Sequence, residues 1–480
     1  MQEEDLIHLV QQVRERRTEG QVIELKAAAK GCPTRLFDTL SSFSNQDQGG
    51  TIIFGIDESR DYEIVGVYDA QDLQKKVTEQ CKQMEPTVRA LFTVCETEGK
   101  VIVSAEIPGV DISERPVFYK GVGRIKGSYV RVGEADELMS EYEVYSCDAF
   151  RRRVREDLRV VPNGRMDFMD QKRLSDYLSA VKKERRNLSG NVLTDEEILE
   201  LMGVTVNGEP TLAGIMTFSI YPQSCFPQLC VTAVSVPGTQ IGDLGEDGER
   251  FIDNRRITGA IPDMLKEAED FVRINSRTKS IIGADGERHD REEYPSVAVR
   301  EAILNALMHR DYSVYTENIP IRIEMYRDRM EITNSGGLYG RVSVDSLGKV
   351  RPDTRNAALA NMLELLKIAE NRYSGIPTIR RECGEAGLPA PAFSSQHGEF
   401  KVVFRNSIYE SGATSERSTR PEDVLAFCET PRSRDELTQF TGKSRYYTMS
   451  LVVAPLVEQG KLRLTLPEKP KSSKQKYVRA

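Results

Sequence analysis

Three features that would each assign the chain to a class of protein are missing from its sequence. No stretch approaches the roughly 20 apolar residues that a helix needs to span a bilayer, and the N-terminus has no signal-peptide core. None of the eight cysteines forms a CxxC pair and the four histidines are scattered, so no zinc site is visible. There is also no GxxxxGKS/T phosphate-binding loop, which argues against a P-loop helicase. We therefore expect a cytoplasmic protein with reduced cysteines and no membrane partner.

Length favours several domains, and the net charge leaves room for one of them to be basic. A chain of 480 residues with an ordinary apolar share is expected to form about two to four domains. The net charge of -8 argues against uniform coating of nucleic acid, but not against one basic domain on an acidic body. Pattern divides the chain into an α+β segment (1–150), an α/β connecting region (165–290), a third segment (291–408) and, after a Ser/Thr-rich linker, a C-terminal module (421–480). The expected fold class is multidomain α+β.

The connecting region is predicted to contain two strands, PTLAGIMTFS and LCVTAVSVPG, followed by one long helix, ITGAIPDMLKEAEDFV. The arginine-rich run FRRRVREDLR precedes this region. It is typical of a solvated helix or connector, and a nucleic-acid contact is the alternative.

The strongest motif is YPSVAVREAILNALMHRDY, in which Pro295 suits the first turn of a helix. At about 100° per residue, Glu301, Asn305 and His309 fall on one face of that helix. A buried carboxylate and amide need polar partners, which magnesium and phosphate would supply. The Asn305 carbonyl is a suitable hard ligand for Mg²⁺, and Glu301 could polarise an attacking water. The alternative is a core helix whose polar stripe is satisfied by other side chains.

The segments that follow favour the nucleotide interpretation. IPIRIEMYRDRMEITNSGG predicts two strands that end in a glycine pair, where the backbone comes close to something or takes a positive φ. A long glycine-containing segment, the helix ALANMLELL and a further glycine in NRYSGIPTI complete the order.

This order resembles the GHKL ATP-binding fold of gyrase, histidine kinases and MutL. More closely, over about residues 285–408, it is similar to the variant in transcriptional regulators labelled as RecG-related helicases. The resemblance implies an α/β sandwich that holds Mg-ATP between helix and lid, with Glu301 activating water and Asn305 holding Mg²⁺. The other implied cofactor-binding residues are His309 on the same helix, Asn334, Gly336 and Gly337 near the adenine, and Gly375 near the phosphates.

The sequence departs from that family at two points. Where the family usually reads the adenine amino group with an Asp, this chain has Asn334, whose carbonyl can still accept that hydrogen bond. The second glycine motif has only Gly375, beside Ile376 and Pro377. Slow Mg-dependent ATP hydrolysis and a purely regulatory ATP site therefore both stay open.

A second group of polar residues lies near the N-terminus. If VIELK is a strand, Glu24 and Lys26 share one of its faces, Glu19 comes just before it, and Asp57 ends the strand IIFGID. Three carboxylates and a lysine could hold a divalent metal against a phosphodiester. The alternative is an ordinary Glu–Lys pair on a solvated strand face and an Asp that starts a turn.

This segment resembles the Schlafen AlbA-like domain over about residues 15–150. The matching residues are Glu19, Glu24, Lys26, Asn45, Gly49, Gly50 and Asp57. The resemblance implies nucleic-acid binding, as in bacterial relatives, or RNA cleavage by the acidic set, as in eukaryotic Schlafens. Because Schlafen cores are often built from two such lobes, the single lobe suggests that two chains pair in a homo-oligomer.

The C-terminal module is predicted to be a winged helix-turn-helix. SRDELTQF is its second helix, with Ser433 as N-cap and Glu436 at capping-box spacing. SRYYTMSLVVAPLVEQG is the recognition helix, and KLRLTLP and QKYVR are the wing strands. Eleven basic residues face four acidic ones after Pro431, which is typical of a phosphate-binding surface. The predicted DNA-binding residues are Lys443, Arg445, Tyr446 and Tyr447. A winged helix that contacts protein is the alternative.

The leading hypothesis is an ATP-binding, DNA-binding transcriptional regulator whose GHKL-type site gates nucleic-acid binding. The alternative is a metal-dependent Schlafen-type nuclease that ATP triggers, acting in defence, with RNA or DNA as its target. A non-enzymatic scaffold with an inactive ATP fold is the third hypothesis.

Overall fold

The computed structural model divides the chain into two compact units. Unit 1 comprises residues 1–326, 330–386 and 390–404, and unit 2 comprises 327–329, 387–389 and 405–480. Within the described residues, no helix is both long and apolar enough to cross a membrane. The residues that the structure describes are 1–189, 193–245, 247–282, 288–369, 374–406, 421–441, 448–465 and 475–479.

The first part of unit 1 is a four-stranded sheet with helices on both faces. Its strand order is β1 (Ile23–Lys26), β2 (Gly50–Phe54), β7 (Lys100–Ile107) and β6 (Leu91–Thr97), with β1 parallel to β2 and the other pairs antiparallel. Helices α2 (Phe37–Ser44) and α3 (Ala70–Lys82) cover one face, and α1 (Glu3–Arg16) covers the other. Because both faces of β2 are covered, its last three residues are all apolar and buried.

Shorter elements complete this part, ending in a helix that leads away from it. That helix, α5 (Glu141–Arg152), begins with a capping box between Ser140 and Glu143. The others are β3 (Ile56–Asp57), β4 (Glu63–Ile64), β5 (Met84–Glu85), β8 (Phe118–Tyr119), α4 (Gly123–Gly127), β9 (Tyr129–Val132) and β10 (Ala135–Leu138).

In the connecting region one predicted strand is wrong. The segment PTLAGIMTFS forms a helix, α9 (Leu212–Phe218), in which Thr211 accepts a hydrogen bond from the Gly214 backbone N–H. All seven residues of α9 are buried, so its sequence shows neither the helical nor the strand period that would have identified it. The predicted strand and long helix that follow are confirmed as β13 (Val231–Ser235) and α10 (Ile261–Asn275). The remaining elements are α6 (Gln171–Glu184), α7 (Arg186–Ser189), α8 (Asp195–Leu201), β11 (Thr205–Val206) and β12 (Glu209–Pro210).

A mixed six-stranded sheet forms the second half of unit 1. Its strand order is β14 (Asp253–Ile257), β13, β17 (Ile321–Met325), β18 (Arg329–Ser335), β20 (Glu399–Arg405) and β19 (Ala392–Gln396), in which β13 runs parallel to β17. Two of these strands come from the predicted connecting region, so the sheet extends across the predicted boundary at residue 291. The other elements are the pair β15 (Thr278–Ile282) and β16 (Arg288–Glu292), and the helices α11 (Ser296–His309), α12 (Ala357–Leu365) and α13 (Gly375–Glu385).

Unit 2 combines short helices with a three-stranded antiparallel sheet. The sheet order is β21 (Arg432–Ser433), β23 (Lys476–Arg479) and β22 (Leu462–Leu464). The predicted capping box is present, because Ser433 Oγ accepts from the Glu436 backbone N–H and a Glu436 oxygen accepts from the Ser433 N–H at 2.7 Å. The helical elements are α14 (Pro421–Phe427), α15 (Arg434–Thr441), a π-helical turn (Thr448–Val453) and α16 (Ala454–Glu458).

Candidate functional site

The polar stripe of α11 forms one wall of a cavity of about 170 Å³ in unit 1. Glu301, Asn305 and His309 are partly exposed to this cavity, whereas the residues between them are buried. The alternation follows from the helical period, which returns every fourth residue to nearly the same face. The predicted grouping of these three side chains is what the structure shows.

The first turn of α13 lies against two of these side chains. A Cβ atom placed on Gly375 would lie 2.9 Å from Glu301 Oε2 and 3.0 Å from Asn305 Nδ2. The leading N–H groups of a helix have no partner within the helix and carry its partial positive charge, so they favour anions. A carboxylate, an amide and the start of a helix therefore meet at one end of the cavity, and a Cβ at position 375 would crowd both side chains.

The glycine pair after β18 forms the other end of the cavity. Gly336 has a φ of +91°, and its N–H donates to the Gly398 carbonyl at 2.7 Å. A Cβ on Gly336 would overlap Arg355 Nη1. Asn334 is buried on β18 and lines the cavity together with Gly337. An asparagine amide both donates and accepts, so this end suits the polar edge of a nucleobase.

Charge at this end is set by a buried arginine. Arg355 lines the cavity, lies 3.7 Å from an Asp311 carboxylate oxygen, and places its guanidinium 5.0 Å from the centre of the Tyr339 ring. Burial, together with the positive charge of Arg355, lowers the pKa of His309 to about 4. His309 is therefore neutral at pH 7, and its imidazole can both donate and accept a hydrogen bond.

The donor set of the cavity fits a magnesium nucleotide. Asn305 offers a hard oxygen ligand and Glu301 a carboxylate, the α13 terminus offers N–H donors for phosphate, and Gly375 and Gly336 leave space that a Cβ would fill.

Two of the three predicted acidic residues, Glu19 and Glu24, lie beside an arginine that the sequence did not point to. Arg131, on β9, is buried and lies 2.9 Å from Glu24 Oε2, 3.8 Å from Glu19 Oε2 and 3.0 Å from Asp136 Oδ1. Lys26 also pairs with Glu24. Within the part of the chain that the structure describes, no group of three or more His, Cys, Asp or Glu side chains could hold a metal ion.

Asp57 makes local contacts instead. Its Oδ1 accepts from the Ser59 N–H at 3.1 Å and from Ser59 Oγ at 2.6 Å, and Oδ2 lies 3.4 Å from Arg60 Nε. This is the turn-starting role that was the alternative interpretation of the sequence.

The environment of Glu19 makes folding stability depend on pH. Burial raises the pKa of Glu19 to about 7, with a further contribution from the negative charges of Glu24 and Glu58. Arg131 lies closer to Glu24 than to Glu19, so its positive charge stabilises the Glu24 carboxylate more than the Glu19 carboxylate. Glu19 therefore stabilises the fold fully below its ordinary pKa of 4.5 and loses that contribution as the pH rises through 7.

Replacing Glu19 with glutamine is expected to raise the free energy of unfolding by about 2 kcal/mol at pH 8 and to leave it nearly unchanged at pH 4.5. Glutamine mimics the neutral acid and can still accept the Leu25 N–H, which Glu19 accepts at 2.7 Å. Urea unfolding at both pH values measures the difference. Glu15→Gln, at an exposed position of α1, is the matched control. The same gain at both pH values would contradict the assignment.

The predicted DNA-binding residues Lys443, Arg445, Tyr446 and Tyr447 lie outside the described residues. Their role stays a prediction.

Two segments of the chain match known family models. Residues 319–404 match the model described as "Putative ATP-dependent DNA helicase recG C-terminal", and residues 19–140 match "Schlafen, AlbA_2". These segments contain β17 to β20 and the acidic residues around Arg131, respectively. No curated protein matches the chain.

Two solved structures are similar to the chain at low identity. One is the DIP2311 protein from Corynebacterium diphtheriae, with 16% identity, a TM-score of 0.40, and coverage of 94% of this chain and 92% of that one. The other is the N-terminal domain of a RecG-related protein from Nitrosomonas europaea, with 22% identity, a TM-score of 0.23, and coverage of 28% of this chain and 94% of that one. From the family models, the chain carries a Schlafen AlbA-like domain and a RecG C-terminal-like HATPase domain.

Proposed function

We propose that this chain is an ATP-dependent regulator of DNA binding, in which the cavity beside α11 holds Mg-ATP. One observation carries the proposal: Glu301 and Asn305 meet the start of α13 at Gly375, where a Cβ would lie 2.9 Å from the carboxylate and 3.0 Å from the amide. The N–H groups at the start of a helix favour a phosphate, and the neighbouring carboxylate and amide oxygens favour a divalent cation, so this end of the cavity suits a magnesium phosphate group.

The residues of the cavity divide into a phosphate end and a base end. Asn305 is proposed to hold Mg²⁺, which when bound neutralises phosphate charge, and Glu301 to orient a water for slow hydrolysis. Asn334, Gly336 and the neutral His309 are proposed to surround the base. The protein's contribution is to position these groups in a partly closed cavity.

The C-terminal module is proposed to be a winged helix that binds DNA. Its support is the order of helices and strands in unit 2 and the excess of eleven basic over four acidic residues after Pro431. Lys443, Arg445, Tyr446 and Tyr447 are proposed to contact DNA at the start of the recognition helix. We propose transcription regulation as the role that this DNA binding serves.

The AlbA-like domain is proposed to bind nucleic acid without cutting it. Arg131 already supplies a positive charge to Glu19, Glu24 and Asp136, so a divalent cation at this place would meet a buried guanidinium. This contact favours a binding role over the nuclease alternative. Pairing of two chains through this domain stays a prediction.

The affinity of the full chain for DNA is expected to differ about 5- to 100-fold with and without Mg-ATP at fixed salt. Fluorescence anisotropy with a labelled mixed-sequence duplex measures both affinities. Linkage requires DNA to change the affinity for ATP by the same factor, which calorimetry tests independently. Equal DNA affinities in the two conditions would remove the gating proposal, whereas absence of ATP binding to the wild-type chain would remove the nucleotide site itself.

A further inference from the structure

Helix α5 leads from the AlbA-like part of unit 1, and its Tyr142 contacts residues that lie next to the proposed nucleotide cavity. α5 (Glu141–Arg152) begins immediately after the segment that matches the Schlafen model. The Tyr142 hydroxyl, on its first turn, donates to Asp311 Oδ2 at 2.8 Å. Asp311 lies two residues beyond the end of α11, the helix that carries Glu301 and Asn305.

Asp311 is held in place by backbone hydrogen bonds, and one of its carboxylate oxygens lies next to both Tyr142 and Arg355. Its Oδ1 accepts from the Ser313 N–H at 2.8 Å, and its own N–H donates to the Ser335 carbonyl at 2.9 Å. Its Oδ2 lies 3.7 Å from Arg355 Nη1. That nitrogen is buried and has no hydrogen-bond partner among the described residues. The strength of the Tyr142 bond therefore affects how firmly Asp311 holds Arg355.

The ring of Tyr142 reaches the cavity by a second route. A Cβ on Gly398 would lie 2.6 Å from Tyr142 Cε1, so the ring packs directly on the turn between β19 and β20. The Gly398 carbonyl accepts the Gly336 N–H at 2.7 Å. Gly336 lines the cavity. The hydroxyl and the ring of Tyr142 thus act on two neighbouring parts of the same cavity wall.

The loop that follows Gly336 has two more contacts with the AlbA-like side. Arg341 pairs with both oxygens of Asp111, at 3.0 and 3.3 Å. Tyr339, which lines the cavity, meets Phe150 of α5 edge-on at a ring distance of 5.2 Å. The Arg341–Asp111 pair is exposed, so its contribution is small. Together these contacts link the loop after Gly336, which forms part of the cavity wall, to α5 and to the AlbA-like part.

We propose that Tyr142 is a positioning residue for the nucleotide cavity. Through Tyr142, the position of α5 and of the AlbA-like domain is coupled to the binding of nucleotide. This inference rests on the proposed function and names the route of its coupling. A ligand that contacts Arg355 and Gly336 favours one arrangement of Asp311 and Gly398, and those two residues hold Tyr142. By reciprocity, the position of α5 in which Tyr142 makes these contacts raises the affinity of the cavity for nucleotide.

The test compares Tyr142→Phe with Tyr145→Phe. Both tyrosines lie on α5 and donate to a carboxylate, but Tyr145 donates to Glu156 at 2.6 Å. Tyr142→Phe is expected to weaken Mg-ATP binding about tenfold and to reduce the ATP-dependent change in DNA affinity by a similar factor. Tyr145→Phe is expected to alter neither by more than about twofold, with both variants unfolding at similar temperatures. Calorimetry and DNA anisotropy are the readouts.

A double-mutant cycle separates positioning from general loss of structure. If Tyr142 acts through Arg355, then Arg355→Lys alone should weaken Mg-ATP binding, and adding Tyr142→Phe should weaken it by much less than another tenfold. Additive effects would overturn the inference, as would wild-type nucleotide binding by Tyr142→Phe. If wild-type DNA affinity depends on ATP and Tyr142→Phe shows the same dependence, the inference fails while the proposed function stands.

Discussion

Gly336→Ala is expected to lower the free energy of unfolding by about 3 kcal/mol and to abolish measurable ATP binding. The φ of +91° alone costs an L-residue about 1–2 kcal/mol. The added Cβ would overlap Arg355 Nη1 and lie 2.8 Å from the backbone nitrogen of Asp311. That nitrogen cannot retreat easily, because it donates to the Ser335 carbonyl at 2.9 Å. The clash must therefore displace Arg355 into the cavity or open the end of β18.

Gly99→Ala is the matched control for this substitution. Gly99, between β6 and β7, also has a positive φ, of +71°, but a Cβ there would meet nothing within 4 Å. We expect this variant to lose only the backbone cost of about 1–2 kcal/mol of stability and to bind ATP like the wild type. Chemical unfolding and calorimetry measure both quantities. Equal effects at the two positions would show that the close contacts of Gly336 have no special role.

The side of the site that lies on one helix could be predicted from the sequence. Glu301, Asn305 and His309 are four residues apart, and helical geometry alone places them on one face. The glycine pair at the end of β18 was also predictable, because Gly336 needs a positive φ that few other residues adopt. Both features depend only on contacts between residues that are close in the chain.

Contacts between distant segments were beyond the reach of the sequence pattern. Arg131 lies on β9, but nothing in the local sequence shows that it meets Glu19 and Glu24, which are more than 100 residues away. Asn45 is one of the residues that match the Schlafen AlbA-like domain. In the structure its amide links two distant segments by donating to the Val117 and Tyr129 carbonyls, at 3.0 Å each. Burial explains the wrong strand at α9, because a fully buried helix loses its amphipathic period.

Asn305→Ala and Glu301→Gln are expected to separate binding from hydrolysis. Asn305→Ala removes the proposed Mg²⁺ ligand and a contact with the start of α13, so Mg-ATP should bind about 100-fold more weakly, or about 3 kcal/mol. Glu301→Gln keeps the shape and the polar contact but cannot accept a proton, so binding should stay within about threefold while turnover falls at least about 100-fold. Calorimetry and phosphate release measure the two effects.

Two exposed positions of the same unit provide controls of the same chemistry. Asn254→Ala, on β14, and Glu267→Gln, on α10, make the same changes of side chain away from the cavity, so both should bind and turn over ATP like the wild type. If Glu301→Gln hydrolyses ATP at the wild-type rate, the carboxylate beside Gly375 is not the group that orients water. Its remaining role would be electrostatic. Glu301 lies beside Gly375 at the start of α13, so its carboxylate attracts cations to that place and repels anions. The effect of Glu301→Gln on Mg²⁺ dependence would then exceed its effect on turnover, which distinguishes a regulatory ATP site from a hydrolytic one.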